Sequence, residues 1–327
     1  MLGGPARSLT SPWFNEYART ATTARSGDGT GLGGVERAAR GGVVVGEDGG
    51  VAASLVGHVA VVTGASRGVG RAIALHLAAC GATVVGLARP SPALEDLAET
   101  GRRAGHRLVT VPADVTVPAQ VDAAFAAAGQ LGPPTLVVAA AGTADVLGPV
   151  AQADPDQWWQ AVAVDLHGTM LTTRAAARAM LPHRAGRIVT VYGNLGDHGA
   201  ANLSAFAVAK AGIARLTETL AAELHGTGVH AFCLHPGFVR TPMTEQLANG
   251  DAGRTWLPRF AATAPERWGT AQPAADLVEA IALGHADGLT GRVLHAGDDL
   301  HQLTGHRRAG SDLRHLRLIW TRDPGDQ

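Results

Sequence analysis

Lysine is almost missing from this chain. Of 27 basic residues among 327, Lys210 is the one lysine and the other 26 are arginine. A bias of base composition toward Arg, Ala and Gly accounts for that skew, which leaves the surviving lysine in need of its own explanation. Cysteine is scarce too. Cys80 falls in an apolar helical stretch and Cys233 in an apolar strand-like run, which argues against both a disulfide framework and a metal cluster and suits a reducing cytosol. No metal is expected. Charge of one sign is also lacking, since 27 basic residues face 28 acidic ones, so no strong field marks a nucleic acid or an anionic membrane as a partner. No apolar run approaches the roughly 20 residues of a membrane span, and the first residues show no basic segment followed by an apolar core. A soluble, cytoplasmic protein acting on a small molecule is the expectation.

What is present falls into three parts. Residues 1–54 are rich in Gly, Ala, Thr and Arg, as in GDGTGLGG, and bury too little apolar surface to offset chain entropy; a mostly disordered extension is expected. Residues 55–299 alternate short apolar runs with amphipathic stretches, the pattern of βαβ units. The expected fold is α/β, a three-layer, doubly wound parallel sheet of about seven strands. Those strands are expected at Val59 to Thr63, Thr83 to Leu87, Leu108 to Val111, Thr135 to Ala139, Arg187 to Val191, His230 to His235 and Arg292 to His295. Asp154, with Pro155 and Gln157 behind it, has the pattern of a helix start, and that helix should run to about Met180. Others are expected over Ser204 to His225 and Ala274 to Leu283. Residues 300–327 form a polar, basic tail in which SDLRHLRLIW suggests a terminal helix and strand.

Between the first strand and the first helix stands Thr63-Gly64-Ala65-Ser66-Arg67-Gly68-Val69-Gly70. Glycines there permit a tight turn and close backbone approach, and the amides at the helix start attract a pyrophosphate. The segment resembles the TGxxxGxG motif of the short-chain dehydrogenase/reductase family, and the resemblance covers about residues 55–299. It implies a Rossmann fold and a nicotinamide dinucleotide. By the same resemblance Asp114-Val115 takes the adenine-contacting position, Ala141-Gly142 ends the family's NNAG segment, and Pro236-Gly237 with Val239 and Thr241 matches the PGxVxT segment near the nicotinamide carboxamide. The second strand ends Gly86-Leu87-Ala88-Arg89, without the acid that would bind the ribose hydroxyls of NAD. Arg89 and Arg67 suit the extra phosphate of NADP instead, so NADP(H) is expected over NAD.

The family's catalytic register is only partly kept. Lys210 stands where the resemblance puts a lysine that holds the nicotinamide ribose and lowers the pKa of a tyrosine four residues before it. That tyrosine position is Phe206. Gly193 stands at the family's serine position, thirteen residues earlier, and Asp165 in Val164-Asp165-Leu166 replaces the family's asparagine. Phenylalanine cannot transfer a proton, a service worth roughly 10² to 10⁴ in rate. Tyr192, His198 with its neighbour Asp197, and Asp165 itself are the candidates to replace it; Tyr192 reads first as packing and His198 as an exposed loop residue, while Asp165 is as readable in a structural pair with Lys210 as in an acid/base role. The aromatic segment Trp256, Leu257, Phe260 and Trp268 is readable as a substrate lid or as simple packing.

Three functions fit this pattern. The first is an NADP(H)-dependent oxidoreductase of a carbonyl or alcohol with an impaired or non-standard proton-transfer site. The second is a non-redox dehydratase, isomerase or cyclase using Asp165, His198 and Lys210. The third is a non-catalytic subunit paired with an active relative. Assembly as a homo-oligomer, dimer or tetramer, is expected, with a hetero-oligomer as the variant, because the resemblance implies contact through the two helices carrying Asp165 and Lys210.

Overall fold

A computed structural model describes residues 43–45, 51–53, 55–193, 199–263 and 265–308. All of them lie in one of the two compact units of the chain, Gly41–Gln327. Strands β1 (Val43–Val45) and β2 (Val51–Ala53) make a small antiparallel pair with Val44 opposite Ala52. They fall within the 1–54 segment; the remainder of that segment is outside the described residues.

Apolar β-branched runs build the main sheet. Its strands are β3 (Val59–Thr63), β4 (Thr83–Ala88), β5 (Leu108–Pro112), β6 (Leu136–Ala139), β7 (Gly186–Val191), β8 (Val229–His235) and β9 (Val293–His295). They lie in the order β5-β4-β3-β6-β7-β8-β9, every neighbouring pair parallel. All seven expected strands form, each end within one residue of its expected position. The chain leaves β3 in one direction and returns beyond it in the other, so a crevice opens at the carboxyl ends of β3 and β6, where α/β sheets bind ligands.

Alternation along the strands fills two cores. Ala60 and Val62 of β3 face one side with helices α1 (Gly68–Ala79), α2 (Pro92–Arg103) and α10 (Gln272–Ala282), while Val61 faces the other. That second layer holds α3 (Pro118–Gly129), α4 (Pro155–Val162), α5 (Gly168–Met180) and α6 (Ser204–Glu223). Between β8 and α10 lie α7 (Pro242–Asn249), α8 (Asp251–Trp256) and α9 (Pro258–Ala261). Helix α11 (Leu300–Arg308) follows residue 299, with Leu300 and Leu303 packed on the first core. The SDLRHLRLIW segment lies outside the described residues.

One expectation needs correction. The helix from Asp154 to Met180 keeps both ends, and Asp154 Oδ1 accepts the N–H groups of Asp156 and Gln157 at 3.0 and 2.9 Å. Its middle is not α-helical. Between α4 and α5 the residues Ala163–His167 form a π-turn centred on Asp165. A π-turn carries an extra residue per coil, which periodicity along the sequence does not show.

Buried hydroxyls join the sheet to its second helical layer. Thr190 of β7 and Thr217 of α6, both fully buried, lie 2.7 Å apart, and Thr217 Oγ1 donates to the Ile213 carbonyl at 2.8 Å. Thr217→Val takes away the 2.7 Å partner of the Thr190 hydroxyl, leaving it the Phe232 carbonyl at 3.4 Å and the Cys233 thiol, and is expected to cost about 1–2 kcal/mol. Thermal unfolding should show this as a loss of a few degrees, and the double variant Thr190→Val/Thr217→Val should lose less than the sum of the two single ones.

Candidate active site

Thr63 closes β3, and its hydroxyl, 1% exposed, accepts the N–H groups of Ala140 and Ala141 at 3.1 and 3.3 Å. The threonine therefore ties the cradle to the loop after β6. Gly64 makes that approach possible. Its φ is +67°, and a Cβ there would stand 2.8 Å from the Ala140 carbonyl group; a Cβ at Gly70 would stand 2.5 Å from the Gly64 oxygen. Only glycine fits either position. The first turn of α1 has no acidic residue and no side-chain cap, which leaves its N–H groups to water or an anion. Ser66 is half-buried in this loop and Arg67 exposed at its edge.

The other cofactor candidates surround the same crevice. A Cβ at Gly68 would lie 3.4 Å from Thr241 Cγ2, so the segment after β8 borders the cradle. In that segment Gly237 has φ +82° and donates its N–H to His235 Nδ1 at 3.0 Å across Pro236, and Val239 bridges to Gly269. Thr241 caps α7 in a reciprocal pair with Thr244. Arg89 is exposed at the end of β4. Asp114 lies past β5, its Oδ1 accepting the N–H and O–H of Thr116 at 2.8 and 2.7 Å. Partial burial works to raise the Asp114 pKa, but the Thr116 bonds and the Arg89 charge outweigh it and hold the carboxyl below its ordinary value. Val115 is buried against Gly168, where a Cβ would stand 2.6 Å from Val115 Cγ2. The cradle thus consists of close backbone and open helix-start N–H groups, which fits a dinucleotide.

The π-turn brings Asp165, 1% exposed, to Lys210 of α6, 6% exposed. Asp165 Oδ1 accepts the Thr143 N–H at 2.6 Å. Its Oδ2 stands 3.2 Å from Lys210 Nζ, an ion pair by distance but off the line of a hydrogen bond, as that oxygen has no hydrogen-bond partner among the described residues. Burial drives the Asp165 pKa up; the Lys210 charge and the Thr143 N–H bring it only part of the way back. Lys210 Nζ also approaches the Val191 carbonyl at 3.4 Å and lies 5.1 Å from the Phe206 ring centroid, within cation–π range. Gly142 lies against both charges: a Cβ there would stand 3.2 Å from Asp165 Oδ1 and 3.4 Å from Nζ.

Gly193 and Phe206 face each other. A Cβ built on Gly193 would lie 3.7 Å from Phe206 Cε1 and Cζ, an ordinary contact. The neighbouring Tyr192 is buried with Ile213, Ala214 and Cys233, its ring tilted across His235 at 6.0 Å. His198 and Asp197 are outside the described residues. Phe238, Phe260 and Trp268 form a three-ring cluster, whereas Trp256 lies against Gly148 and accepts the Asn202 side chain on its carbonyl at 2.9 Å. Sequence reasoning missed Thr143 and Asp145. Thr143 holds Asp165 through its backbone N–H while its hydroxyl donates to Asp145. A backbone donor leaves no mark on residue type, and only its place directly after Gly142 hints at it.

With this geometry in view, the comparisons are specific. A family model described as short chain dehydrogenase matches residues 58–252. This chain belongs to the short-chain dehydrogenase/reductase family. It is 32% identical over 279 residues to a short chain dehydrogenase of Pseudocercospora fijiensis, covering 80% of this chain and 89% of that one. It is also 32% identical over 252 residues to the 3-oxoacyl-[acyl-carrier-protein] reductase of Salmonella typhimurium, covering 76% of this chain and all of the relative. Among solved structures, a single-site variant of the actinorhodin polyketide ketoreductase with NADPH matches with a TM-score of 0.66 at 27% identity, covering 73% of this chain and 95% of that one. The dehydrogenase/reductase relatives are oxidoreductases by name, and the ketoreductase was solved with NADPH. No described helix of this family member is long and apolar enough to cross a membrane.

The raised Asp165 pKa sets a pH signature. The folded state holds this proton more tightly than the unfolded chain does. The group's contribution to stability is therefore full below the ordinary aspartate value and falls as pH rises to the raised one. The stability of the native chain minus that of Asp165→Asn should decrease across that window in urea unfolding at a series of pH values. A difference that grows with pH would mean that Lys210, and not burial, governs the ionisation.

Proposed function

We propose that this protein binds NADP(H) and acts as an oxidoreductase on a carbonyl or alcohol small molecule, with proton transfer much weakened by Phe206 and Gly193. The observation that carries this reading is the cradle at Gly64 and Gly70, closed to any side chain by backbone within 3 Å, with exposed Arg67 and Arg89 at its rim. When bound, the nicotinamide supplies or accepts a hydride. The chain's own residues do the rest. Buried Lys210 orients the nicotinamide ribose, the first turn of α1 receives the pyrophosphate, and the arginines receive the additional phosphate. Phe206 offers a ring and no proton, so water or the substrate completes the transfer, with Tyr192 and His198 as the protein candidates. The two cysteines, one in each of two separate apolar runs, support a cytoplasmic setting.

Asp165 deepens the loss. In the family resemblance the lysine charge lowers the tyrosine pKa, and here a carboxylate 3.2 Å away opposes that charge. The raised pKa of this buried acid also favours one second reading, a non-redox enzyme that moves protons through Asp165 and Lys210. Substrate turnover without change in the reduced-nicotinamide absorbance would select that second reading.

The test pairs binding with repair. NADPH fluorescence titration should show saturable binding, and Arg67→Ala and Arg89→Ala should each weaken it about tenfold while leaving NADH unaffected, as expected for a lost hydrogen bond between charged groups. The native chain should reduce general ketones poorly. Phe206→Tyr/Gly193→Ser should gain part of the roughly 10² to 10⁴ that a positioned acid supplies, and adding Asp165→Asn should raise it further at neutral pH. Failure to bind NADPH at millimolar concentration overturns the proposal.

Assembly as a homo-oligomer belongs to the same reading. An apolar groove lined by Trp159, Val162, Leu166, Met170 and Leu216 runs along the helices carrying Asp165 and Lys210, and Trp159 is 66% exposed. Trp159→Glu should lower the mass measured by light scattering, and an unchanged monomeric mass in the native chain would remove this part.

A further inference from the structure

We propose that His76, Cys80 and Glu279 form a binding site for a borderline divalent cation, Zn²⁺ in particular, with Asp276 as a further oxygen donor. From spacing alone the two cysteines argue against a metal cluster. Folding changes the donor set. His76 in the last turn of α1 and Cys80, the residue that caps its carboxyl end, stand four residues apart, and Asp276 and Glu279 stand three apart on α10, which packs beside it through Leu77, Val278 and Ile281. One nitrogen, one sulfur and one carboxylate oxygen from the three named residues lie within 4.8 Å of one another.

The distances suit the ion. His76 Nε2 is 3.6 Å from Cys80 Sγ. A tetrahedral zinc with ordinary bond lengths to nitrogen and sulfur separates those two atoms by about 3.6 Å. Glu279 Oε2 is 2.7 Å from Nε2, and Asp276 Oδ1 3.8 Å. The same bond lengths need about 3.4 Å between nitrogen and carboxylate oxygen, so the Glu279 carboxylate must retreat by less than an ångström, and it is partly exposed. Gln272 Nε2, 3.0 Å from His76 Nδ1, belongs to an exposed side chain that can turn aside when Nδ1 takes the proton.

Electrostatics favour a cation here. Glu279 and Asp276 set two carboxylates beside His76 and Cys80, and these attract a dication. On binding, the thiol proton leaves to solvent and a sulfur–metal bond forms, with no redox change. Thiolate, imidazole and carboxylate together suit zinc and not magnesium or calcium. The site sits at the carboxyl end of α1, away from the cradle at the amino end, and stands independently of the proposed function.

The full chain, freed of metal by chelation, is titrated with Co²⁺ as a spectroscopic stand-in and then with Zn²⁺. The expected result is a thiolate-to-cobalt charge-transfer band that saturates at one equivalent and is displaced by Zn²⁺, with thermal stability raised by Zn²⁺. Cys80→Ser should abolish the band and Cys233→Ser should preserve it. Glu279→Gln should weaken binding by at least the roughly tenfold that even outer-shell losses cost, with metal-free thermal unfolding recorded alongside to show that the variant is folded. Absence of the band in the folded native chain, its persistence in Cys80→Ser, or unchanged affinity in Glu279→Gln overturns the proposal. Should Cys80→Ser fail to fold, Glu279→Gln and Cys233→Ser decide the matter.

Discussion

The pairing of Asp165 with Lys210 is the constraint around which the site is arranged. Both side chains are almost fully buried and stand 3.2 Å apart on different helices. Leaving one partner of such a pair alone in the interior costs about 3–5 kcal/mol, which is why the segments that supply them must meet. The π-turn at Ala163–His167 is where the long helix yields to that demand. Thr143, at the end of the loop held by Thr63, completes the arrangement by donating its N–H to the carboxylate. Cradle loop, π-turn and α6 thus belong to one bonded assembly.

Two neighbouring regions place opposite demands on side-chain size. Around Gly64 and Gly70 the backbones approach so closely that no Cβ fits, and such closeness is useful only where a ligand needs bare amides. Around Gly193 the opposite holds. Its missing side chain leaves ordinary contact distance to Phe206, so glycine there is a matter of chemistry and not of space. The cradle positions therefore exclude a side chain, whereas position 193 admits a Cβ at ordinary contact distance.

Much of the fold was legible because it rests on local pattern. Seven apolar runs became seven strands, and the capped helix start at Asp154 formed as its residues suggest. The π-turn was not legible, since the contact that Asp165 makes from it is with Lys210, far along the chain on another helix. The glycines of the cradle could be read in sequence because backbone conformation demands them. Thr63 could be read as part of the same motif, but not the two amides from the loop after β6 that its hydroxyl accepts. The His76, Cys80 and Glu279 cluster was invisible for a similar reason: two of its residues lie at the end of α1 and the third on α10, 203 residues from His76, brought together by the packing of those helices on one face of the sheet.

Helix α1 connects these themes through its rigidity. Twelve residues of α-helix span about 18 Å, so its two ends are mechanically one object. The amino end presents amides to the crevice beside β3, and the carboxyl end places His76 and Cys80 against α10. Ile73, Ala74 and Leu77 press the stretch between them into the core, and Gly70 lets its first turn rest on the Gly64 carbonyl. A bond between the helices at the far end acts on the near end only through the tilt of that rod. The sheet core beneath already fixes this tilt, so the expected consequence of a bound cation is resistance to unfolding and not a change in how the cradle holds its ligand.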